Sequence, residues 1–204
     1  MVFISNATEV GTVYSKSELE AVAAICKKLS LLLLMDGARL GAALVSSKFQ
    51  GLTIKDVYNL TNIFWIGGTK NGALLGEAIV IKNPSFAADF PYHMKQRGML
   101  LAKGRVLGIQ FSTLFQDDLL FRLARLANAA AAQIASSLEG EGYKLWKAAD
   151  STKFLSYFRP HWFRSCKRGL TFLSGTDPAR TLGLCGWLHR GPPILHKLKG
   201  SATW

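Results

Sequence analysis

The sequence predicts an α/β fold organised on a parallel sheet, and three observations carry that prediction. Apolar runs of strand length recur at residues 2–6, 31–35, 63–66 and 76–82. Between the first three lie segments with helical spacing of apolar residues, each introduced by a capping residue. Strands alternating with helices of roughly ten to fifteen residues are the pattern of parallel βα units.

In order, Val2 to Asn6 reads as the first strand, followed by a polar, glycine-containing loop to Thr12. Ser15-x-x-Glu18 and Ser17-x-x-Glu20 each offer a capping box for a helix running to about Leu29. Its residues Leu19, Val22, Ala23 and Cys26 fall on one face, which makes Cys26 a packed thiol. Leu31 to Met35 is wholly apolar, as a strand covered on both faces would be. Asp36-Gly37-Ala38-Arg39 ends it, and a helix through Leu40, Ala43 and Leu44 follows. Thr53 caps another short helix carrying Ile54, Val57 and Leu60. Ile63 to Ile66 then reads as a buried strand and Gly76 to Lys82 as a further one, before Pro84 and Pro91 interrupt the chain. From about Arg105 to Leu138 the spacing is helical. Leu107, Phe111, Leu114 and Phe115 form one stripe, and Leu119, Leu123 and Leu126 lead a second helix into an alanine run; both read as ordinary core.

The 204 residues are enough for one domain with a sizeable core, and an apolar content of 49% is that of a globular chain. No apolar run approaches the length of a membrane span, and no basic segment followed by an apolar one opens the chain. Three cysteines make no disulfide framework, so a reducing, cytoplasmic setting is the expectation. The charge is uneven. Residues 1–143 hold 14 Lys/Arg against 11 Asp/Glu, a net of +3, whereas residues 144–204 hold 11 against 2, a net of +9. Four of the five tryptophans also lie in that tail, so a boundary is read near residue 143.

The chemistry concentrates at Ile66-Gly67-Gly68-Thr69-Lys70-Asn71-Gly72. Lys70 follows a strand and is flanked by glycines, which let a flat ligand approach the backbone closely. The carboxyl ends of strands are where open α/β sheets bind ligands. A lysine held there can form a Schiff base with an aldehyde; it can equally be a turn lysine reaching into solvent. Asp36 falls at the end of the neighbouring strand, 34 residues earlier. A carboxylate and a Schiff-base lysine so placed meet the needs of pyridoxal phosphate, one at the pyridine nitrogen and the other at the aldehyde. Capping of the following helix is the other use for Asp36.

Leu34-Met35-Asp36-Gly37-Ala38-Arg39-Leu40-Gly41 and Phe64-Trp65-Ile66-Gly67-Gly68-Thr69-Lys70-Asn71-Gly72 together resemble the threonine aldolases of the β-eliminating lyase family, fold-type-I enzymes dependent on pyridoxal 5'-phosphate. Ser5-Asn6-Ala7-Thr8-Glu9, the segment from Leu52 to Leu60, Lys95-Gln96-Arg97-Gly98 and Leu101-Ala102-Lys103-Gly104 fit the same order, so the resemblance covers residues 2–143. It implies that residues 1–115 are part of the cofactor-binding large domain, with a partial parallel sheet, and that 116–143 begin the helices of an incomplete small domain. It implies Lys70 as the lysine holding the cofactor and moving protons, and Asp36 as partner of the pyridinium. Arg39 would reach the region of the phenolic oxygen, or else form a surface ion pair. Thr69 would donate to the phosphate, or serve as a turn hydroxyl. Lys95 aligns with a basic residue near the site, contributed by a neighbouring subunit. The implied reaction is retro-aldol cleavage of L-threonine or a related β-hydroxy-α-amino acid to glycine and an aldehyde, in a homo-oligomer.

Two departures from the family are expected. Its members carry an N-terminal half ahead of the first strand here, with a glycine- and threonine-containing phosphate loop and a ring-stacking histidine, so the chain reads as truncated and a catalytically incomplete fragment is the alternative. Beyond residue 143 the resemblance fades, and residues 144–204 read as a divergent, poorly ordered basic tail arising from a shifted reading frame, an unspliced intron or a gene-model error. His161, Cys166, Cys185 and His189 have the donor types of a zinc site but irregular spacing, so no metal is assigned. Basic residues interleaved with Trp162, Phe163, Trp187 and Trp204 make single-stranded nucleic acid a lesser reading.

Overall fold

The computed structural model describes residues 1–49, 51–142 and 145, together with three short strands further on. Four strands form one sheet: β1 (Val2–Ser5), β2 (Leu33–Asp36), β3 (Ile63–Gly67) and β4 (Glu77–Ile81), in that spatial order. β1, β2 and β3 are parallel, with Ser5 opposite Asp36 and Met35 opposite Phe64. β4 runs antiparallel to β3, with Gly67 opposite Glu77, so the sheet is parallel over its first three strands and mixed at its edge. The reason is length: residues 68–76 make a hairpin, whereas a parallel return needs a crossover of a dozen residues or more.

The two connecting helices start where their capping chemistry dictates. In α1 (Lys16–Lys28), the Ser15 hydroxyl accepts from the Glu18 N–H while the Ser15 N–H donates to Glu18 at 2.7 Å. Ser30, in the left-handed conformation at φ 53°, closes its other end, and the Leu31 N–H donates back to the Cys26 carbonyl. In α3 (Ile54–Leu60), Thr53 and Asp56 make the same reciprocal pair. These bonds hold both carboxyls below the usual carboxylate range: for Glu18 the Ser15 N–H contributes most, for Asp56 the Thr53 hydroxyl. Between them, α2 (Leu40–Leu44) follows β2 directly.

Leu19 and Cys26 of α1, Leu40 and Ala43 of α2 and Val57 of α3 join Leu33, Met35, Phe64 and Ile66 of the sheet in a single core cluster. Full burial of a side chain such as Leu19 stabilises the fold by about 1.5–3 kcal/mol. All of these sheet residues lie on one face. The other face carries Phe3 (56% exposed), Leu32 and Ile79, with Trp65 half-buried and its ring tilted against Phe3 at 6.0 Å. Among the described residues, the strands predicted at residues 31–35 and 63–66 are therefore covered on one face; β2 starts two residues late and alternates buried with half-buried positions.

Pro91 sits inside the first turn of a short additional helix, α4 (Phe90–Gln96), where its missing N–H costs nothing. α5 (Arg105–Phe115) buries Leu114 but leaves Phe115 exposed. Asp117 and Asp118, both left-handed, then turn the chain into α6 (Leu119–Gly140). The face α6 buries is Leu120, Ala124, Ala131 and Ala135, not the predicted stripe; Leu123 and Leu126 are exposed. Small alanines admit close approach to α2, where the Asn128 amide donates to the Ala42 carbonyl at 2.9 Å.

In the tail, which shows no strand period in its sequence, β5 (Leu155–Ser156), β6 (Phe172–Ser174) and β7 (Leu182–Leu184) form an antiparallel sheet in the order β5–β7–β6. His161, Cys166, Cys185, His189 and the tail tryptophans lie outside the described residues. Among the described residues no helix is long and apolar enough to cross a membrane, and no group of side chains could hold a metal ion.

Candidate active site

The carboxyl ends of β2 and β3 carry the site. Asp36 is the last residue of β2, and its Oδ1 accepts two hydrogen bonds, from the Ala38 N–H at 2.8 Å and the Trp65 indole N–H at 3.0 Å. The carboxylate therefore ties the turn after the strand and does not cap α2, whose N-cap is Arg39; the bonds reach only one of its oxygens, and they fix the direction of the other. Trp65 holds Asp36 from the adjacent strand, on the open face of the sheet.

Two glycines allow the strand ends to close together. The Gly37 carbonyl accepts from the Gly67 N–H at 3.0 Å, and a Cβ on Gly37 would run into the Trp65 carbonyl. A Cβ on Gly67 would lie 2.7–3.0 Å from the Ala38 backbone. The absence of side chains here, not backbone freedom, is what the site needs.

Lys70 stands in the β3–β4 hairpin, three residues past the end of β3. The Gly68 N–H donates to the Gly76 carbonyl at 2.9 Å and closes the loop, and the Ala73 N–H donates to the Gly68 carbonyl. Gly72 and Gly76 take positive φ of 109° and 93°, conformations that favour glycine. Asn71 is the loop's anchor: it is buried, and its Nδ2 donates to the Gly67 carbonyl at 2.6 Å and the Ala38 carbonyl at 3.1 Å. With Asn71 turned inward, the neighbouring Thr69 and Lys70 are exposed. The Leu74 N–H donates to Gln110 of α5 at 2.7 Å and steadies the outer arm.

Of the four predicted site residues, Asp36 and Lys70 are brought to the same end of adjacent strands. Arg39 is half-buried at the start of α2, and Thr69 is exposed beside Lys70; among the described residues neither side chain bonds to Asp36 or Lys70. Lys95 is exposed in the last turn of α4. Two residues of the site were missed. Asn71 next to a glycine reads as a turn former, and nothing in the sequence shows that its amide faces two carbonyls. Glu77 opens β4 on the same sheet face as Asp36; partial burial raises its pKa above the usual carboxylate range, the negative charge of Asp36 adds to this, and Lys70 opposes it. A further buried polar group lies beside the site. The Asn6 N–H donates to the Asp36 carbonyl, and the Asn6 Nδ2 has no hydrogen-bond partner among the described residues. A separate hollow lined by Lys27, Leu33, Asn59, Thr61 and Lys82 lies at the amino ends of β2 and β3, away from Asp36 and Lys70.

Comparison with known proteins gives this geometry a context. The model of the family described as beta-eliminating lyase matches residues 1–159. The low specificity L-threonine aldolase of Pseudomonas aeruginosa is 35% identical over 192 residues, 92% of this chain and 54% of the relative. The solved structure of Leishmania major threonine aldolase superposes with a TM-score of 0.81 at 39% identity, covering 90% of this chain and 54% of that one. A putative L-allo-threonine aldolase of Listeria monocytogenes, at 20% identity and a TM-score of 0.63, shares the fold. This chain thus spans about half the length of the curated relatives it matches. An alignment over 92% of 204 residues leaves about 16 unmatched, fewer than the 61 residues of the tail. The likeness therefore runs into residues 144–204, contrary to the expectation that it ends near residue 143.

Proposed function

This chain belongs to the beta-eliminating lyase family, and from that premise we propose that it binds pyridoxal 5'-phosphate through Lys70 and takes part in the cleavage of a β-hydroxy-α-amino acid, threonine or a close relative, to glycine and an aldehyde. One observation carries the reading: Asp36 and Lys70 stand at the carboxyl ends of adjacent parallel strands, the first oriented by two hydrogen bonds and the second exposed with its amino group unbonded among the described residues. The donor set fits the cofactor: an accessible amine for its aldehyde and an oriented carboxylate for its ring nitrogen.

Bound pyridoxal phosphate supplies an electron-withdrawing ring that accepts the electron pair of the bond being broken. The remaining work falls to this chain. Asp36 would hold the proton on the ring nitrogen, in a direction fixed by the Trp65 and Ala38 N–H groups that grip its Oδ1. Lys70 Nζ would hold the aldehyde carbon, and its amino group would be the base and acid at hand for proton transfer. Thr69, exposed beside it, supplies a hydroxyl for the phosphate, and Arg39, at the start of α2, a positive charge for the ring's phenolic oxygen. Asn71 keeps the lysine's turn against the strand ends.

The test is trapping. Protein incubated with pyridoxal phosphate and reduced with borohydride should carry the cofactor on the peptide containing Lys70, and Lys70→Ala should abolish both the mark and the visible absorbance of the bound cofactor. Modification spread evenly over exposed lysines would overturn the reading. Release of glycine from threonine by the same preparation tests the reaction itself; trapping at Lys70 without glycine release would confine this chain to cofactor binding.

A further inference from the structure

Two aromatic rings on the open face of the sheet have no part in the core. Phe3 is exposed and Trp65 half-buried, and neither belongs to the core cluster. They stand on β1 and β3, on either side of β2, yet their ring centroids are 6.0 Å apart and their planes inclined at 46°. That is the separation and tilt of aromatic rings in attractive contact, and they reach it by meeting across β2. Asp36 lies on the same face by the alternation of the strand. Asp36 and Trp65 each follow the register pair Met35–Phe64 by one residue, so they are neighbours at the strand ends. The indole N–H reaches Asp36 Oδ1 at 3.0 Å. The other donor to that oxygen, the Ala38 N–H, comes from the turn that Asp36 itself begins. A donor from its own turn leaves a carboxylate room to swing, whereas a second donor from another strand stops it. Trp65 supplies that second donor, and Phe3 is the ring against which Trp65 rests.

We propose that Phe3 and Trp65 are positioning residues of the site, a relay in which the Phe3 ring sets the indole and the indole sets the Asp36 carboxylate. Its functional meaning rests on the reading of Asp36 as partner of the cofactor's ring nitrogen, but the relay does not need the cofactor. The test compares two ligands on full-length protein by equilibrium dialysis: pyridoxal phosphate, and the analogue in which a C–H replaces the ring nitrogen. Trp65→Phe keeps an aromatic ring without the N–H and should weaken pyridoxal phosphate about three- to tenfold. Phe3→Ala should weaken it about two- to threefold, and Phe3→Tyr, which keeps the ring, should restore it. The analogue offers Asp36 no nitrogen, so all four proteins should bind it alike. Equal losses for both ligands, the mark of a merely structural role, would overturn the proposal, as would an undiminished affinity for pyridoxal phosphate.

A second measurement uses no cofactor. In isotope-labelled protein, the indole N–H resonance missing from Trp65→Phe belongs to Trp65. Phe3→Ala should shift that resonance and quicken its exchange with solvent about two- to fivefold, while Phe3→Tyr leaves it in place. A resonance unmoved in Phe3→Ala overturns the relay. Failure of the unsubstituted protein to bind either ligand would instead strike the reading of the cofactor site, and the resonance would still decide the relay.

Discussion

Replacing Asn71 is the sharpest test of how the site is held together. Asn71→Ala removes an amide that donates at 2.6 Å to the Gly67 carbonyl and at 3.1 Å to the Ala38 carbonyl, in a buried position. Each neutral bond contributes about 1 kcal/mol net, and leaving a buried carbonyl without its donor adds to the loss, so the change should cost about 2–4 kcal/mol. For a chain of this size that lowers the melting temperature by roughly 4–16 °C. Urea unfolding followed by far-ultraviolet circular dichroism gives the free energy directly, and an unchanged m-value assigns the loss to the native state. Asn71→Asp is the companion substitution. It keeps the shape but turns a carboxylate toward the same two carbonyls, and should destabilise at neutral pH at least as much as alanine. A cost for Asn71→Ala below about 0.5 kcal/mol, the range of ordinary surface changes, would refute the idea that this amide locks the lysine turn to β2.

Three further outcomes follow from the geometry. Asp36→Ala leaves the Trp65 indole N–H and the Ala38 N–H without their acceptor and should cost about 1–3 kcal/mol with a shift in Trp65 emission, whereas Asp36→Asn keeps an acceptor oxygen and should stay near the unsubstituted stability. Equal losses in the two variants would contradict the hydrogen-bond account. Gly37→Ala drives a methyl group into the Trp65 carbonyl and should unfold at lower urea than Gly98→Ala, which meets open space and bears only the strain of a φ of 70°; the reverse order would count against the close crossing of β2 and β3. Glu77 predicts a pH dependence of definite sign. A carboxylate with a raised folded-state pKa binds more protons folded than unfolded, so it lowers stability as pH rises from the unfolded pKa through the folded one. Glu77→Gln should therefore raise the urea midpoint at neutral pH, with the gain shrinking as pH falls below the carboxylate range; a gain confined to acid would reverse the argument.

The parts of the fold legible in the sequence are those fixed by neighbours in the chain. Ser15 with Glu18, and Thr53 at the start of α3, announce their helices because a cap is a local bond. Asp36 and Lys70 were readable because each follows an apolar run of strand length, and a strand's end is where a polar residue first escapes the sheet. What the sequence hides is tertiary. An apolar run such as residues 31–35 does not say how many layers cover it, and here the core residues of α1, α2 and α3 pack with one face of the sheet. The alanines of α6 give no periodic contrast, so Leu123 and Leu126 drew attention to the wrong face. Asn71 and Glu77 take their meaning from Ala38 and Asp36, more than thirty residues away.

The hairpin also implies an order of assembly. The bonds that seat Lys70, from Gly68 to Gly76 and from Asn71 to Gly67, close within nine residues, a distance a hairpin can span in microseconds. Asp36 acquires Trp65 only when strands 29 residues apart have paired in parallel, a slower event because the loop must be closed before any contact rewards it. Asn71 spans both scales, one hydrogen committed 4 residues away and the other 33. Its side-chain amide is thus a natural reporter of folding: the first bond signals a formed turn, and the second signals that the turn has found its sheet.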